Sequence, residues 1–178
     1  NVKWGVRKRM KNGTYKVRFD LLGYSVDKDG NPYIVPAEAE AVGTIFKMFL
    51  DGASLLQLQQ YLEGNGFKTP RGNSVWQRSV ISYMLKNEKY VGDVLYQKTY
   101  RRDCISKKVL RNNGELTRYL ISNNHPAIID RETFNLVQLE IARRSNKRKK
   151  SDKGLTELGK YSGKYALTDL LVCGCCGG

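Results

Sequence analysis

Apolar positions along the chain fall into short runs at helical spacing, separated by polar turns that carry glycine, and the runs predict a succession of small elements. After Pro36, Val42, Ile45, Phe46 and Phe49 repeat at i, i+3, i+4, i+7 and the run closes at Gly52. Proline suits a first helical turn, where its missing N–H is not needed. A second helix opens on Ser54 with Gln57 three residues later, a capping box in which two orphan donors are satisfied reciprocally. Leu55, Leu58 and Leu62 line its apolar face, and Asn65-Gly66 ends it. A third helix is expected to repeat the device, with Ser74 as cap and Gln77 three residues on. Its expected apolar side is Trp76, Val80, Tyr83 and Met84, at i, i+4, i+7, i+8. Its other side offers Gln77, Arg78, Ser79, Ser82 and Lys86, all hydrogen-bond donors or cations. Such a set suits phosphates and base edges in a DNA major groove. Three helices in succession, with a long turn from Gly66 to Asn73, predict a trihelical unit of the helix-turn-helix kind. Any three-helix bundle gives the same periodicity.

The flanks add strands and two more helices. Lys3 to Met10 reads as the end of a helix stopped by Asn12-Gly13, and Tyr24 to Pro36 as a hairpin around Asp29-Gly30. Tyr90 to Gln97 has a strand pattern, followed by a polar, basic connection through Arg101, Arg102, Lys107, Lys108 and Arg111. Tyr119 to Ser122 is expected to pair with that strand, with Asn113-Gly114 as a turn between them. His125-Pro126 leads to a last helix capped by Asp130, with Phe134, Val137 and Ile141 on its apolar face. The predicted class is α+β: a trihelical helix-turn-helix-like bundle, a small antiparallel sheet, and a C-terminal helix leading into a linker.

Charge narrows the partners. The 178 residues are 40% hydrophobic, enough for a core, yet 31 Lys and Arg face 17 Asp and Glu, a net charge of +14. A field of that sign favours polyanions, nucleic acid before anionic membrane. Residues 1 to 18 hold seven cations (Lys3, Arg7, Lys8, Arg9, Lys11, Lys16, Arg18) and no acid. Arg143, Arg144, Lys147, Arg148, Lys149 and Lys150 place six cations in eight residues, opening a linker over 145 to 163. A solvated charge run is the plainer account of such a stretch. No run approaches the ~20 apolar residues that span a bilayer, and the opening lacks a signal peptide's apolar core. Cytoplasmic location and no membrane partner are expected. The sequence shows no phosphate-cradling Gly-rich loop, paired-carboxylate site or nucleophile-and-base set, so neither a nucleotide cofactor nor catalytic machinery is expected within it.

Three of the four cysteines crowd the last six residues. Cys173 and Cys176 form Cys-x-x-Cys before Gly177-Gly178, a spacing from which two thiolates can grip one Zn2+. A closed site needs four ligands, and Cys104, Cys175 and His125 sit at no second-knuckle spacing, so the metal site is expected to be incomplete here. A redox dithiol shares the spacing. Cys104 reads as an incidental thiol and His125 as a structural residue ordering a turn.

These segments together resemble the non-catalytic portion of the large serine recombinases, of the phage-integrase and transposon-resolvase type. The resemblance rests on Leu22-Gly23-Tyr24 with Asp29-Gly30, and on Pro36 to Glu40 leading into the first helix. It continues with Gly52 to Leu56, Asn65 to Pro70, Trp76 to Leu85 and Lys86 to Gly92. His125 to Asp130, with Phe134 and Val137-Gln138, and Leu171 to Gly178 complete it. Gln77 stands where the family often has Ser, Glu88 where it often has Pro, and Cys175 where it often has His. The resemblance implies residues 1–22 as the end of a linking helix and basic connector, and 23–144 as the recombinase domain. It implies 145–163 as linker and 164–178 as the start of a truncated zinc ribbon, which in the full-length parent holds zinc.

The implied parent is a bacterial or phage-encoded site-specific recombinase, a dimer on double-stranded DNA attachment sites and a tetramer in the synapse. Its nucleophilic serine belongs to a domain preceding residue 1, so no serine here is catalytic. The implied share of this chain is half-site recognition for integration, excision or transposition. Gln77, Arg78, Ser79 and Ser82 would meet the groove, and Lys86 a phosphate. Arg7, Lys8, Arg9, Lys16 and Arg18 would track the neighbouring minor groove. Arg101 and Arg102 join them as DNA-binding candidates, and Arg143 to Lys150 would follow the backbone. A stand-alone helix-turn-helix transcriptional regulator is the alternative. An RNA-binding module using Tyr90, Tyr96 and Tyr100 is a third reading, explained more simply by core packing.

Overall fold

The computed structural model describes residues 2–102 and 108–146. It divides into two units, the first running to Gln138 and the second from Leu139. Helix α1 spans Val2–Lys11, and the strands β1 (Tyr24–Val26) and β2 (Pro32–Ile34) form an antiparallel hairpin. Helix α2 covers Pro36–Leu50 and buries Val42, Ile45, Phe46 and Phe49, the spacing its sequence carries. Helix α3, Leu55–Gly64, begins at the expected capping box: Ser54 Oγ accepts from Gln57 N–H, and Gln57 Oε1 accepts from Ser54 N–H at 2.8 Å. Leu58 and Leu62 are its buried residues, and α3 packs on both α2 and the next helix.

That next helix, α4, departs from expectation at its start. It spans Arg78–Leu85, and its N-cap is Gln77, whose side chain makes no capping bond; Ser74 lies outside the helix. Trp76 holds the approach extended, because its backbone N–H donates to Glu63 Oε1 and its indole Nε1 to the Phe67 carbonyl, both at 2.7 Å. Trp76 is therefore buried as a residue before the helix and not as its first apolar position. Spacing counted from Trp76 is out of phase, and the buried face proves to be Ile81, Met84 and Leu85. Val80 and Tyr83, expected in the core, are exposed.

The rest of the first unit is a set of short strand pairs. A 3₁₀ turn, Glu88–Val91, takes up the first two residues of the expected strand, with Asn87 Oδ1 accepting from Lys89 N–H at 3.2 Å. Strand β3 is thus only Val94–Tyr96 and pairs antiparallel with β6, Tyr119–Ile121, as expected. The basic connection between them is itself a ribbon, β4 (Thr99–Arg101) against β5 (Val109–Arg111). Among the described residues the expected single sheet is therefore three separate two-stranded pairs. Buried Asn112 closes the ribbon's exit: its Nδ2 donates to the Gln97 and Leu116 carbonyls, and its Oδ1 accepts from Gly114 and Leu116 N–H. Helix α5, Arg131–Asn146, begins where Asp130 Oδ2 accepts from Thr133 N–H at 2.7 Å. Val137 is fully buried on it, and Phe134 stacks on Phe46 of α2.

Candidate nucleic-acid interface

The exposed side of α4 follows from its phase. With Ile81, Met84 and Leu85 inward, 100° per residue puts Ser79, Tyr83 and Lys86 at the middle of the opposite side, with Ser82 close by. Ser79 and Lys86 are exposed and Ser82 is half-buried; Arg78 and Val80 flank the face and are exposed. Gln77, at the N-cap, is exposed as well. No carboxylate occurs in the sequence between Glu63 and Glu88, and Glu63 is held by the Trp76 backbone. Among the described residues Arg78 and Lys86 join no ion pair. The first turn of α4 carries no acid and no side-chain cap, so the positive end of the helix dipole lies uncompensated by a carboxylate beside Arg78.

The other basic candidates are distributed differently. Arg7, Lys8 and Arg9 are exposed on α1, with the Lys8 ammonium 5.1 Å from the Trp4 ring centroid. Lys16 donates to the Asp29 carbonyl, and Arg18 pairs with Asp20 at 3.1 Å. Arg101 and Arg102 are exposed, and on the ribbon face of Arg101 the residues Thr99, Val109 and Arg111 are exposed too. In α5, Glu140 holds both Arg143 and Arg144 at 2.6 Å, and their guanidinium groups bring its carboxyl down to about 2. Lys147, Arg148, Lys149, Lys150, Cys104, Cys173, Cys175 and Cys176 lie outside the described residues. Among those described, no group of three or more His, Cys, Asp or Glu is arranged to hold a metal ion.

Elsewhere in the first unit, an aromatic junction ties the segment after α1 to the 3₁₀ turn and to the approach to α5. Tyr24 Oη donates to the Pro126 carbonyl at 2.8 Å, and Tyr90 Oη to the Leu22 carbonyl at 3.1 Å. Burial pushes the Tyr24 hydroxyl up to about 12 and raises that of Tyr90 further. Lys89 Nζ donates to the Arg18 carbonyl at 2.6 Å and lies 4.5 Å from the Phe19 ring centroid; burial draws its ammonium below the ordinary lysine value. His125 lies edge-on to Phe19 and Tyr24, and its Nε2 is 2.6 Å from the Lys89 carbonyl, which makes Nε2 the protonated nitrogen. Its Nδ1 is buried with no hydrogen-bond partner among the described residues, and burial lowers the imidazole's proton affinity. This fits the structural role expected of His125. Asp93, also buried, is gripped at both oxygens by Arg131, which keeps its carboxyl below the usual range.

Sequence reasoning missed the outward position of Tyr83 and Val80, which the apolar count had placed in the core. The available signal was Ile81, Met84 and Leu85, an equally good helical triplet once Trp76 is left out of the count.

A family model described as Recombinase matches residues 36–144, from the first residue of α2 into α5. A curated protein of Bacillus subtilis (strain 168), provisionally named a DNA recombinase, is 28% identical over 186 residues, covering 97% of this chain and 35% of its own length. Two solved structures resemble the chain at 25% identity. A crystal structure of a complex of DNA with an LSR, a large serine recombinase, aligns with a TM-score of 0.56 over 81% of this chain and 38% of its own. A structure concerned with the sequence requirements of the Listeria innocua prophage attP site aligns with a TM-score of 0.54 over 80% and 51%. The chain thus spans between about a third and a half of the length of these relatives. With 36–144 matched, more than half of its residues, the chain belongs to the Recombinase family.

Proposed function

We propose that this chain is the DNA-binding region of a serine site-specific recombinase and that it recognises half of an attachment site. The observation that carries the reading is the side of α4 turned to solvent, which bears donors and cations in an acid-free stretch. In this reading α2, α3 and α4 act as a helix-turn-helix-like unit within a domain of residues 23–144. Helix α4 enters the major groove, with Gln77, Arg78, Ser79 and Ser82 toward base edges and Lys86 toward a phosphate. Arg7, Lys8 and Arg9 run along the adjoining minor groove, and Arg101 and Arg102 meet phosphates. Residues 143–150 follow the backbone toward a zinc ribbon begun by Cys173 and Cys176. Dimers on DNA, tetramers in the synapse and phosphoserine chemistry belong to the whole protein, which inserts, excises or mobilises an element. The relatives' names and the likeness to a recombinase–DNA complex support the reading.

The test begins by enriching duplexes bound by the chain from a random-sequence pool. Replacing Arg78 and Ser82 together by Ala is expected to weaken binding to an enriched duplex at least tenfold. Binding to a scrambled duplex should change far less. Equal losses on the two duplexes would overturn α4 as the reading helix.

A further inference from the structure

Three large apolar side chains stand in solvent within nine residues of this acid-free stretch: Val75 at 67% exposure, Val80 at 37% and Tyr83 at 76%. Val80 and Tyr83 are i, i+3 neighbours on α4, while Ser79 and Lys86 lie one turn either side of Tyr83. Single exposed apolar residues are ordinary. Here, however, the most exposed of them stands at the centre of the face that carries the cations. The potential around it selects a polyanion, and the ring and methyls need an apolar complement within that partner. In a DNA major groove the one apolar group on a base edge is the 5-methyl of thymine.

We propose that Tyr83, flanked by Val80, packs against thymine 5-methyl groups and makes this chain select thymine at fixed positions of its half-site. The proposal rests on the DNA-binding reading above and adds to it the base that the centre of α4 selects. Tyr83 supplies most of the contact through its ring, and Val80 supplies branched methyls on the side of the face away from Lys86. Removing one thymine methyl strips roughly one buried carbon from the interface, which corresponds to about a fourfold loss of affinity.

The experiment uses a duplex enriched by the full chain from a random pool, resynthesised with deoxyuridine at its thymidine positions, one at a time. Uracil pairs as thymine does and lacks only the methyl. The wild-type chain is expected to lose about fourfold at one or two positions. Tyr83→Ala should bind the thymine and uracil duplexes alike, and Tyr83→Phe should keep the wild-type discrimination, since the ring remains. If the wild type ignores the replacement, or Tyr83→Ala discriminates as well as the wild type does, the proposal is wrong. A change in self-association on Tyr83→Ala with discrimination intact would assign the patch to protein contacts and overturn it too. A pool yielding no enriched duplex would remove the DNA-binding reading itself. Enrichment and Arg78 dependence without methyl dependence would remove only the thymine assignment.

Discussion

In the aromatic junction, Tyr24, Tyr90, Lys89 and His125 each place a polar atom on a backbone carbonyl of a segment distant in sequence. On α4, Arg78, Ser79, Tyr83 and Lys86 face solvent, and what holds the helix is the opposite face, Ile81, Met84 and Leu85. Side chains of similar chemistry thus serve cohesion in one place and stand ready for a partner in the other. The difference is whether the groups they face lie within the molecule. Charge count alone would not show it, because α5 is as basic at its end as α4 and yet has Glu140 holding Arg143 and Arg144.

Substitutions should separate the two regions. The largest effect is expected from Trp76→Ala, which removes a fully buried indole and its bond to the Phe67 carbonyl. A loss of about 3–5 kcal/mol is expected in urea denaturation, and DNA binding should fail with it because α4 loses its mooring. Gly92→Ala comes next. Gly92 has φ of 83°, and a Cβ there would lie 2.7 Å from the His125 carbonyl oxygen. A cost of about 1–3 kcal/mol is expected, with the affinity of the remaining folded molecules unchanged. Weakened binding by folded Gly92→Ala protein would break the separation.

Acid should act on the junction before it acts on α4. The proton affinity of His125 is lowered in the folded state, so the unfolded chain takes up the proton first as pH falls. Stability should be complete above about pH 6.5, the ordinary histidine value, and decline below it toward the folded value. Asp93, also depressed, should add a further loss below about pH 4. Denaturation curves between pH 8 and 5 (on the order of the ordinary histidine range) test this, and His125→Gln should flatten them. The smallest expected effect concerns α5: Glu140→Gln removes the carboxylate charge paired with Arg143 and Arg144, so DNA affinity should rise slightly. The slope of log affinity against log salt should steepen by about one for each new phosphate contact. An unchanged slope would mean that these arginines do not reach DNA even without that carboxylate.

Much of this could be read in advance where local chemistry decides. The Ser54–Gln57 box, the Asp130 cap and the Val42 to Phe49 stripe each need only residues a turn apart, and all three form. The phase of α4 could not be read that way. It depends on Trp76 reaching back to Glu63 and Phe67, a tertiary bond that ends helical counting where periodicity continues it. The ribbon of β4 and β5 was hidden for a related reason. Its strands are three residues each, and its closing group, buried Asn112, looks like an ordinary polar loop residue in sequence. As for the candidate site, its donors and cations were visible in composition, while Tyr83 at their centre was not.

The turn between α3 and α4 closes on itself, with Thr69 N–H donating to the Asn73 carbonyl at 2.8 Å and Asn73 N–H to Thr69 Oγ1 at 3.0 Å. Downstream of it, Trp76 fastens the chain again before α4 begins. Residues 70–72 therefore form a sealed, exposed bight whose length is independent of how α4 is aimed. Evolution can lengthen or recode that bight without retuning the helix, and an experimenter can splice a fluorophore tag there as a reporter close to α4 in sequence.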